Sequence, residues 1–123
     1  MKTIIIDTNA LMAVSEFGID LFTEIEKACL FSYQLAILTG TIQELEKIKQ
    51  EQRGKFKVAA KLALTLAEKF KLKQIPSSGV VDDELIKHSA KGEIILTQDQ
   101  ELKKRLTKPY LTIRQKKWIV LVE

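Results

Sequence analysis

Short apolar runs that each stop at a polar residue recur along the chain, and segments with helical periodicity separate them. The clearest runs are Lys2–Ile6, Tyr33–Leu38, Lys73–Ile75 and 93–96. A short β-branched run without polar alternation is typical of a strand that is buried on both faces. Strands that alternate with helices indicate βαβ units. We therefore predict an α/β fold whose parallel sheet carries helices on both faces.

Capping and breaking residues mark where the first helices begin and end. Gly18 ends the first helical pattern, and Asp20 is a suitable N-cap for a second helix. Thr41 and Glu44 have the spacing of a capping box, so we expect the third helix to open near Thr41.

The middle of the chain predicts an exposed connection followed by an amphipathic helix. Residues 50–57 are polar and basic, with Gly54 among them. Residues 58–70 place Leu62, Leu66 and Phe70 at four-residue spacing, which predicts that these side chains form the buried stripe of a helix.

The last part of the chain predicts a short helix and two strands. The helix covers 101–106, and the strands 111–113 and Trp118–Val122 flank a basic turn at 114–117. We expect Trp118 to lie in the core, since aromatic side chains are mostly buried.

The length and the cysteine content suggest one domain in a reducing compartment. At 123 residues the chain can bury a core, and we expect a single domain over residues 1–123. Cys29 is the only cysteine, so an intramolecular disulfide is excluded, which fits the cytoplasm. The apolar run at residues 4–6 stops at Asp7, too early for an export or membrane segment. We therefore expect a cytoplasmic protein that has no membrane partner.

The positive charge is concentrated near the end of the sequence. The formal net charge is +4 and the isoelectric point is about 9.2. From Lys91 onward there are eight Lys and Arg residues and four Asp and Glu residues, so this segment accounts for the whole excess. A concentrated excess of this kind favours an anionic partner.

Acidic side chains stand where several of the predicted elements begin or end. Asp7 directly follows the first apolar run, and Asp99 lies just after another. Asp82 and Asp83 open a helical segment, and Glu44 lies in the first turn after the second strand. Residues at the carboxyl ends of parallel strands converge on one sheet edge, so we predict that these carboxylates meet there. The alternative is that each acid only caps a helix or a turn.

A cluster of carboxylates needs a cation. Without one, mutual repulsion would raise the pKa values of the acids strongly. Mg²⁺ or Mn²⁺ is the natural choice, because both prefer oxygen ligands. His88 and Cys29 are too few and too scattered to form a zinc site. A bound Mg²⁺ can activate water and stabilise charge on a phosphate, which points to phosphodiester chemistry.

Four segments, in this order, resemble the motifs of PIN-domain nucleases. Residues 5–11, an apolar strand followed by Asp, Thr and Asn, resemble the first motif, and Glu44 resembles the helix glutamate. Residues 81–86 resemble the third motif, and 95–103, with a Thr-x-Asp sequence, resemble the fourth. The tail 113–117 is similar to that of small archaeal-type members related to Fcf1-like and VapC-like proteins. The resemblance spans the whole chain.

This resemblance implies a three-layer α/β/α fold with a central parallel sheet, and Mg²⁺- or Mn²⁺-dependent cleavage of single-stranded RNA. It also implies which acids hold the metal and carry the catalysis: Asp7, Glu44, Asp82 or Asp83, and Asp99. Thr97 would support the site by hydrogen bonding, and Asn9 would orient Asp7.

The sequence leaves the third-motif aspartate open. Counting forward to Ala90 favours Asp83, whereas counting back from Thr97 favours Asp82, towards which we lean.

The resemblance also implies partners. The substrate would be single-stranded or structured RNA, and the protein would act either as a toxin restrained by an antitoxin or with RNA-processing partners, rRNA processing included. A homodimer stays open.

Basic residues after Asp99 are the expected RNA-binding set, because each Lys or Arg that neutralises a phosphate adds salt-dependent affinity. They are Lys103, Lys104, Arg114, Lys116 and Lys117. A second basic group lies along residues 47–57. For any single residue, a merely solvated side chain is the alternative.

Three other functions compete with a nuclease. A non-catalytic PIN-like module that binds RNA or protein would be expected to have lost acids, and here the set is complete. A phosphatase of the HAD type needs a second Asp two residues after Asp7, where this chain has Asn9. A phospho-receiver domain would have paired acids near the first strand, and Asp7 stands alone.

Overall fold

Strands and helices alternate along most of the chain in the computed structural model, which describes residues 1–123. The strands are β1 (Lys2–Ile6), β2 (Tyr33–Leu38), β3 (Lys73–Ile75), β4 (Ile94–Leu96), β5 (Tyr110–Arg114) and β6 (Trp118–Val122). The helices are α1 (Thr8–Phe17), α2 (Leu21–Ala28), α3 (Thr39–Glu51), α4 (Lys55–Lys69), α5 (Val81–Ala90) and α6 (Gln100–Arg105). None of these helices combines the length and the apolar character that crossing a membrane would require.

The six strands form one sheet in the order β3-β2-β1-β4-β5-β6. The first five run parallel to their neighbours, as the sequence predicts, and β6 pairs antiparallel with β5. The antiparallel strand follows from a tight turn in which Gln115 and Lys116 adopt left-handed backbone angles. A connection this short can only reverse the chain, since a parallel neighbour needs a long crossover.

The two faces of the sheet are covered by different helices, which gives three layers. Ile4 and Ile6 belong to a core shared with α1 to α4, whereas Ile5 belongs to a second core with α5 and α6. Alternate side chains of a strand point to opposite faces, so the run of three isoleucines in β1 serves both cores. All three are fully buried, and each burial contributes about 1.5–3 kcal/mol.

The predicted ends of the first two helices are confirmed. Gly18 ends α1 in the left-handed conformation that glycine adopts without steric strain. Asp20 caps α2, where its carboxylate accepts a hydrogen bond from the Thr23 amide.

The predicted capping box of the third helix is wrong. Helix α3 begins at Thr39, with Leu38 at the N-cap position and no side-chain capping bond. Thr41 is therefore inside the first turn, and its buried hydroxyl has no hydrogen-bond partner. Glu44 therefore does not act as the capping-box residue of α3.

The predicted exposed connection is much shorter than expected. Helix α3 continues to Glu51 and α4 already begins at Lys55, so only residues 52–54 connect them. A run of polar residues says little about helix ends when the exposed face of one helix leads directly into the next.

The predicted stripe of α4 is also wrong. Its buried residues are Ala59, Ala60 and Ala63, whereas Leu62 is 36% exposed. Helix α4 packs against α1 and α3 through these alanines, and Phe70 lies outside the core while stacking on Phe22. Trp118 is likewise half-exposed, because β6 is an edge strand, and the prediction of a core tryptophan is wrong.

Candidate active site

The site lies where the order of the strands in the sheet reverses, at the ends of β1 and β4. From β1 the strands proceed outward to β2 and β3, and the chain then returns to place β4 on the other side of β1. Asp7 and Thr97 follow these two central strands, and the Asp7 amide donates to the Leu96 carbonyl oxygen at 2.9 Å. In open α/β sheets, ligands bind at this switch point, outside the carboxyl ends of the strands.

Asp7 is the most buried acid of the site, with 5% of its surface exposed. It is the N-cap of α1, and its Oδ1 accepts a hydrogen bond from the Thr8 amide at 2.8 Å. Its Oδ2 accepts from Thr97 Oγ1, also at 2.8 Å. Both carboxylate oxygens are thus held by donors from the ends of the two central strands.

Burial raises the pKa of Asp7 from 3.8 to about 6, even though the hydrogen bonds from Thr97 and Thr8 act to lower it. The negative charges of Asp82 and Glu44 add to the rise. The raised pKa of Asp7 thus reflects its burial and the negative charges near it, and a bound cation would lower this pKa again.

Glu44 reaches the site from the first turns of α3. Its Oε1 accepts a hydrogen bond of 2.7 Å from Thr8 Oγ1, which ties α3 to the start of α1. Thr8 was not singled out from the sequence. Its place directly after Asp7 was the available signal, because that position carries it to the same sheet edge.

Asp82 and Asp83 occupy different surroundings. Asp82 faces the other acids, and burial, followed by the charge of Asp99, raises its pKa. Asp83 is half-exposed and lies 3.6 Å from Arg105. The structure thus groups Asp82 with the other acids and leaves Asp83, the alternative from the sequence, outside.

A close approach between α3 and the loop before α5 sets the position of Asp82. The Gly40 amide donates to Ser77 Oγ at 2.9 Å, and the Ser77 amide donates to Thr39 Oγ1 at 2.9 Å. A Cβ atom at Gly40 would come within 2.9 Å of Val81 Cγ2. Glycine therefore allows the start of α5, and with it Asp82, to approach α3.

Asp99 does cap a helix, as the alternative interpretation expected. Its Oδ1 accepts from the amides of Glu101 and Leu102 at the start of α6. Its own amide donates to Thr97 Oγ1 at 3.1 Å, so it stays attached to the centre of the site. Capping and membership of the acid group are compatible here, because the capping bonds use only one of the two carboxylate oxygens.

Asn9 has no direct hydrogen bond with Asp7. Its Oδ1 accepts from the Gln98 amide at 3.3 Å and lies 3.3 Å from Thr97 Oγ1, whose single proton points to Asp7 at the shorter distance. Gln98 in turn donates from its side chain to the Asn9 carbonyl oxygen. Asn9 thus holds the Thr97 segment, and any influence on Asp7 passes through Thr97.

Four of the five predicted acids line one cavity of about 290 Å³. The lining residues are Asp7, Thr8, Asn9, Met12, Glu44, Ile48, Asp82 and Asp99. Met12 and Ile48 form an apolar wall that the sequence did not reveal. None of the lining residues is positively charged, although Arg105 is near enough to Asp82 to counteract part of the rise in its pKa.

The donor atoms suit a hard divalent cation. All four acids offer oxygen, whereas Cys29 is buried elsewhere and His88 pairs with Glu93. No three of the His, Cys, Asp and Glu side chains lie close enough together to form a ready-made metal centre. A bound Mg²⁺ would therefore contact only one or two of these carboxylates directly and would keep several of its waters, as Mg²⁺ usually does in proteins.

The basic residues do not form one patch. Lys103 donates to Thr112 Oγ1 at 3.0 Å, and burial, followed by the charge of Arg114, lowers its pKa while Asp99 counteracts this. Lys103 is therefore close both to Arg114 and to Asp99 of the acid group. Lys104 instead pairs with Glu101 on α6.

The remaining two lysines lie at the β5–β6 turn. Lys116 Nζ is 5.2 Å from the centre of the Phe17 ring, and Lys117 is exposed. The structure thus divides the expected RNA-binding set between the neighbourhood of Asp99 and this turn.

Comparisons with known proteins point to one family. The model of a family described as a PIN like domain matches residues 4–116. The chain is 32% identical over 125 residues to Ribonuclease VapC4 of Methanocaldococcus jannaschii, covering 96% of this chain and 95% of that protein. It is 36% identical over 107 residues to Ribonuclease VapC9 of Archaeoglobus fulgidus, covering 85% and 76%.

Among solved structures, the PIN domain endonuclease Utp24 has a similar fold. The TM-score is 0.75, and the match covers 97% of this chain and 90% of that one at 21% identity. At this identity the likeness concerns the fold, and it supports the three-layer arrangement described above.

Proposed function

This chain belongs to the PIN-like domain family, and we propose that it is a metal-dependent endoribonuclease formed by one domain over residues 1–123. The observation that carries the proposal is the convergence of Asp7, Glu44, Asp82 and Asp99 on one cavity at the switch point of the sheet. Two relatives that cover most of the chain are named ribonucleases, which supports RNA as the substrate.

One or two of the four cavity acids would bind Mg²⁺ or Mn²⁺ directly, and the others would contact its water ligands. All four are the catalytic residues of the proposal. When bound, the ion supplies an activated water and stabilises the charge that develops on the phosphate. Asp83, which lies beside Arg105, is not part of this proposed set.

The protein residues around the acids fix their geometry. Thr97 and Thr8 donate to the two oxygens of Asp7, so that this carboxylate keeps one orientation. Thr8 holds Glu44 through its hydroxyl. Because the supporting groups are short side chains and backbone amides on regular elements, the acids are arranged before the substrate arrives.

Lys103 and Arg114 are the basic residues that we propose to hold the RNA backbone beside Asp99. Lys103 is near that acid and Arg114 is near Lys103, so together they put positive charge beside the negative cavity that a phosphate must approach. Such contacts position a strand without reading its sequence, so they suit a nuclease of broad substrate range.

A labelled single-stranded RNA tests the proposal. We expect cleavage with Mn²⁺ or Mg²⁺, none with EDTA, and none by an Asp7→Asn variant that keeps its circular dichroism spectrum. Binding without cleavage at any divalent concentration would instead indicate the non-catalytic PIN-like module.

Two roles use this same chemistry, a toxin under the control of an antitoxin and a nuclease for RNA processing. They differ in substrate range, so mapping the cut sites across total cellular RNA separates them. Many sites with a short shared sequence indicate a toxin, and one site in one structured RNA indicates processing.

A further inference from the structure

A second, apolar groove adjoins the acid cavity. Met12, Ile48, Gln52 and Phe56 line this groove, which has a volume of about 280 Å³. Met12 and Ile48 also line the acid cavity, so the two hollows share a wall. A single-stranded RNA with one phosphate at the acids would therefore have the adjoining nucleotide at this groove.

The groove has the chemistry of a nucleobase site. Phe56 is 46% exposed, although large aromatic side chains are usually buried. The neighbouring Gln52 amide carries both a donor and an acceptor, which is what the edge of a base requires. Arg53, Lys55 and Lys57 are close to Phe56 in the sequence and exposed, and Lys55 Nζ lies 5.4 Å from the centre of the Phe56 ring.

We propose that this groove binds the base of the nucleotide next to the cleaved phosphate, with Phe56 stacking on the base and Gln52 contacting its edge. The proposal rests on the ribonuclease function proposed above. Aromatic side chains beside basic residues are the usual means of holding single-stranded nucleic acid. An apolar side chain of a partner protein would fit Met12 and Phe56, but it would make no use of the surrounding positive charge.

The test measures binding of a fluorescent single-stranded RNA in EDTA, so that cleavage does not interfere. Phe56→Ala should weaken binding about 5- to 150-fold, the range of one lost stacking contact, and Phe56→Trp should restore it. Val58→Ala is the matched control, since Val58 is an exposed apolar residue of the same helix that does not line the groove.

RNAs with one abasic nucleotide, moved stepwise past the cut site, identify the base concerned. One position should weaken binding to the parent protein and leave the already weakened Phe56→Ala variant unaffected. A Phe56→Ala variant with parental affinity and cleavage would overturn the subsite and leave the ribonuclease proposal standing. If the parent neither binds nor cuts any RNA, the ribonuclease proposal itself fails.

A separate observation concerns the edge strand β6. It pairs only with β5, and no other hydrogen bond of the backbone or of a side chain reaches residues 118–123. The opposite edge, β3, is protected in the usual way, being three residues long and containing a lysine. Strand β6 has five apolar residues and neither charge nor proline, so it is open to pairing with another strand.

The sequence around β6 is complementary to itself when read in the antiparallel direction. With Val120 at the centre, Trp118 would face Val122, and Ile119 would face Leu121. Just outside these apolar pairs, Lys117 would face Glu123. Opposite charges that lie directly across from each other stabilise a strand pair.

An apolar groove alongside β6 extends this surface. It has a volume of about 420 Å³ and is lined by Ala28, Leu30, Phe31, Ile119, Val120, Leu121 and Glu123. Leu30, which lines this groove, is 97% exposed, so the groove presents apolar surface beside the free edge of β6.

We infer that two copies of this chain associate by antiparallel pairing of β6 with β6, which joins the two sheets into one. The inference does not depend on the nuclease activity. In such a pair Lys117 contacts the partner's Glu123, so of the two lysines at the turn only Lys116 would stay available to RNA.

Sedimentation velocity with charge-reversal variants tests this contact. Lys117→Glu places Glu opposite Glu, and Glu123→Lys places Lys opposite Lys, so each variant should dimerise at least about tenfold more weakly than the parent. When these two variants are mixed, both contacts become attractive, and a heterodimer should form with nearly parental affinity. Lys73→Glu, at the opposite edge, is the control and should leave the dimer unchanged.

Val120→Lys adds an independent test, because it places two lysines at the centre of the pair. It should abolish the dimer while the circular dichroism spectrum of the monomer is kept. A parent protein that stays monomeric at all concentrations overturns the inference. A dimer that persists in the Val120→Lys variant also overturns it, and so does a mixture of the two charge-reversal variants that forms no heterodimer. Either result would indicate a different dimer surface or a different partner for β6.

Discussion

Thr97 Oγ1 donates a hydrogen bond of 2.8 Å to Asp7 Oδ2, between two residues that are 90 positions apart in the sequence. The same oxygen accepts from the Asp99 amide at 3.1 Å. One hydroxyl therefore connects two acids that follow the two central strands of the sheet. A short side chain with one donor and two acceptor sites is well suited to this position.

Thr97→Val is expected to destabilise the protein by about 1–3 kcal/mol, because it leaves a buried carboxylate oxygen and an amide without partners. Metal affinity should also fall, about 10- to 100-fold, since groups that orient ligands affect affinity to that degree. Urea unfolding and Mn²⁺ calorimetry measure the two effects.

Thr41→Val is the matched control for this change. Thr41 is equally buried, but its hydroxyl has no partner, so the loss of that hydroxyl should be neutral or stabilising. If both variants lose the same stability, the hydrogen bond of Thr97 is not the cause of the loss.

The sequence was sufficient to predict the strands and the sheet edge where the acids meet. Apolar β-branched runs mark buried strands clearly, and the end of such a run locates Asp7 and Asp99 at one edge. The starts of the predicted helices located Glu44 and the pair Asp82 and Asp83 in the same way, and of this pair only Asp82 lines the cavity.

What the sequence could not show depends on packing between elements. Large apolar residues at helical spacing predict a buried stripe, but α4 buries alanines because it lies close to α1 and α3. The direction of Asp83 towards Arg105 depends on α6, whose position no local pattern encodes. The shared wall of Met12 and Ile48 likewise arises only when α1 and α3 come together.

Asp7→Asn is expected to abolish cleavage and to stabilise the metal-free protein at neutral pH. The folded protein holds a proton on Asp7 up to about pH 6, whereas the unfolded chain releases it near 3.8. The parent therefore loses stability as the pH rises from about 4 to about 6, by at most about 3 kcal/mol. Asparagine carries no charge and avoids this loss.

The difference in unfolding free energy between variant and parent should therefore grow over that interval and stay constant above it. Thermal unfolding in EDTA at several pH values measures this. A difference that does not change with pH would show that the carboxylate of Asp7 is not destabilised by its surroundings.

Asp82→Asn and Asp83→Asn are expected to behave differently although the residues are adjacent. The first removes a charge that faces the acid group and should lower Mn²⁺ affinity at least about tenfold. The second removes only a half-exposed contact with Arg105, which is worth at most about 1 kcal/mol, and should leave metal binding unchanged. Calorimetry measures the Mn²⁺ affinity of both variants. If Asp83→Asn lowers the affinity and Asp82→Asn does not, Asp83 is the metal ligand.

Gly40→Ala is expected to reduce cleavage more than it reduces stability. Alanine favours the helix, but its methyl group would meet Val81 Cγ2 at 2.9 Å and Ser77 Oγ at 3.0 Å. The start of α5 must then shift, and Asp82 shifts with it. In a Val81→Ala background there is room for the methyl group, so adding Gly40→Ala there should cost little further activity. If the loss of activity is the same in both backgrounds, the close approach is not its cause.

Lys103→Ala and Arg114→Ala are expected to weaken RNA binding about equally for RNAs of different sequence. Each lost phosphate contact should also flatten the dependence of log K on log salt by about 0.7 for a single strand. Turnover at saturating RNA should change little, because these residues hold the strand and the acids carry the chemistry. Lys104→Ala removes the same charge from a residue that pairs with Glu101, so it is the matched control and should leave the slope unchanged. If Lys104→Ala flattens the salt dependence as much as Lys103→Ala and Arg114→Ala do, the effect comes from the overall charge of the protein. The RNA backbone then does not pass beside Asp99.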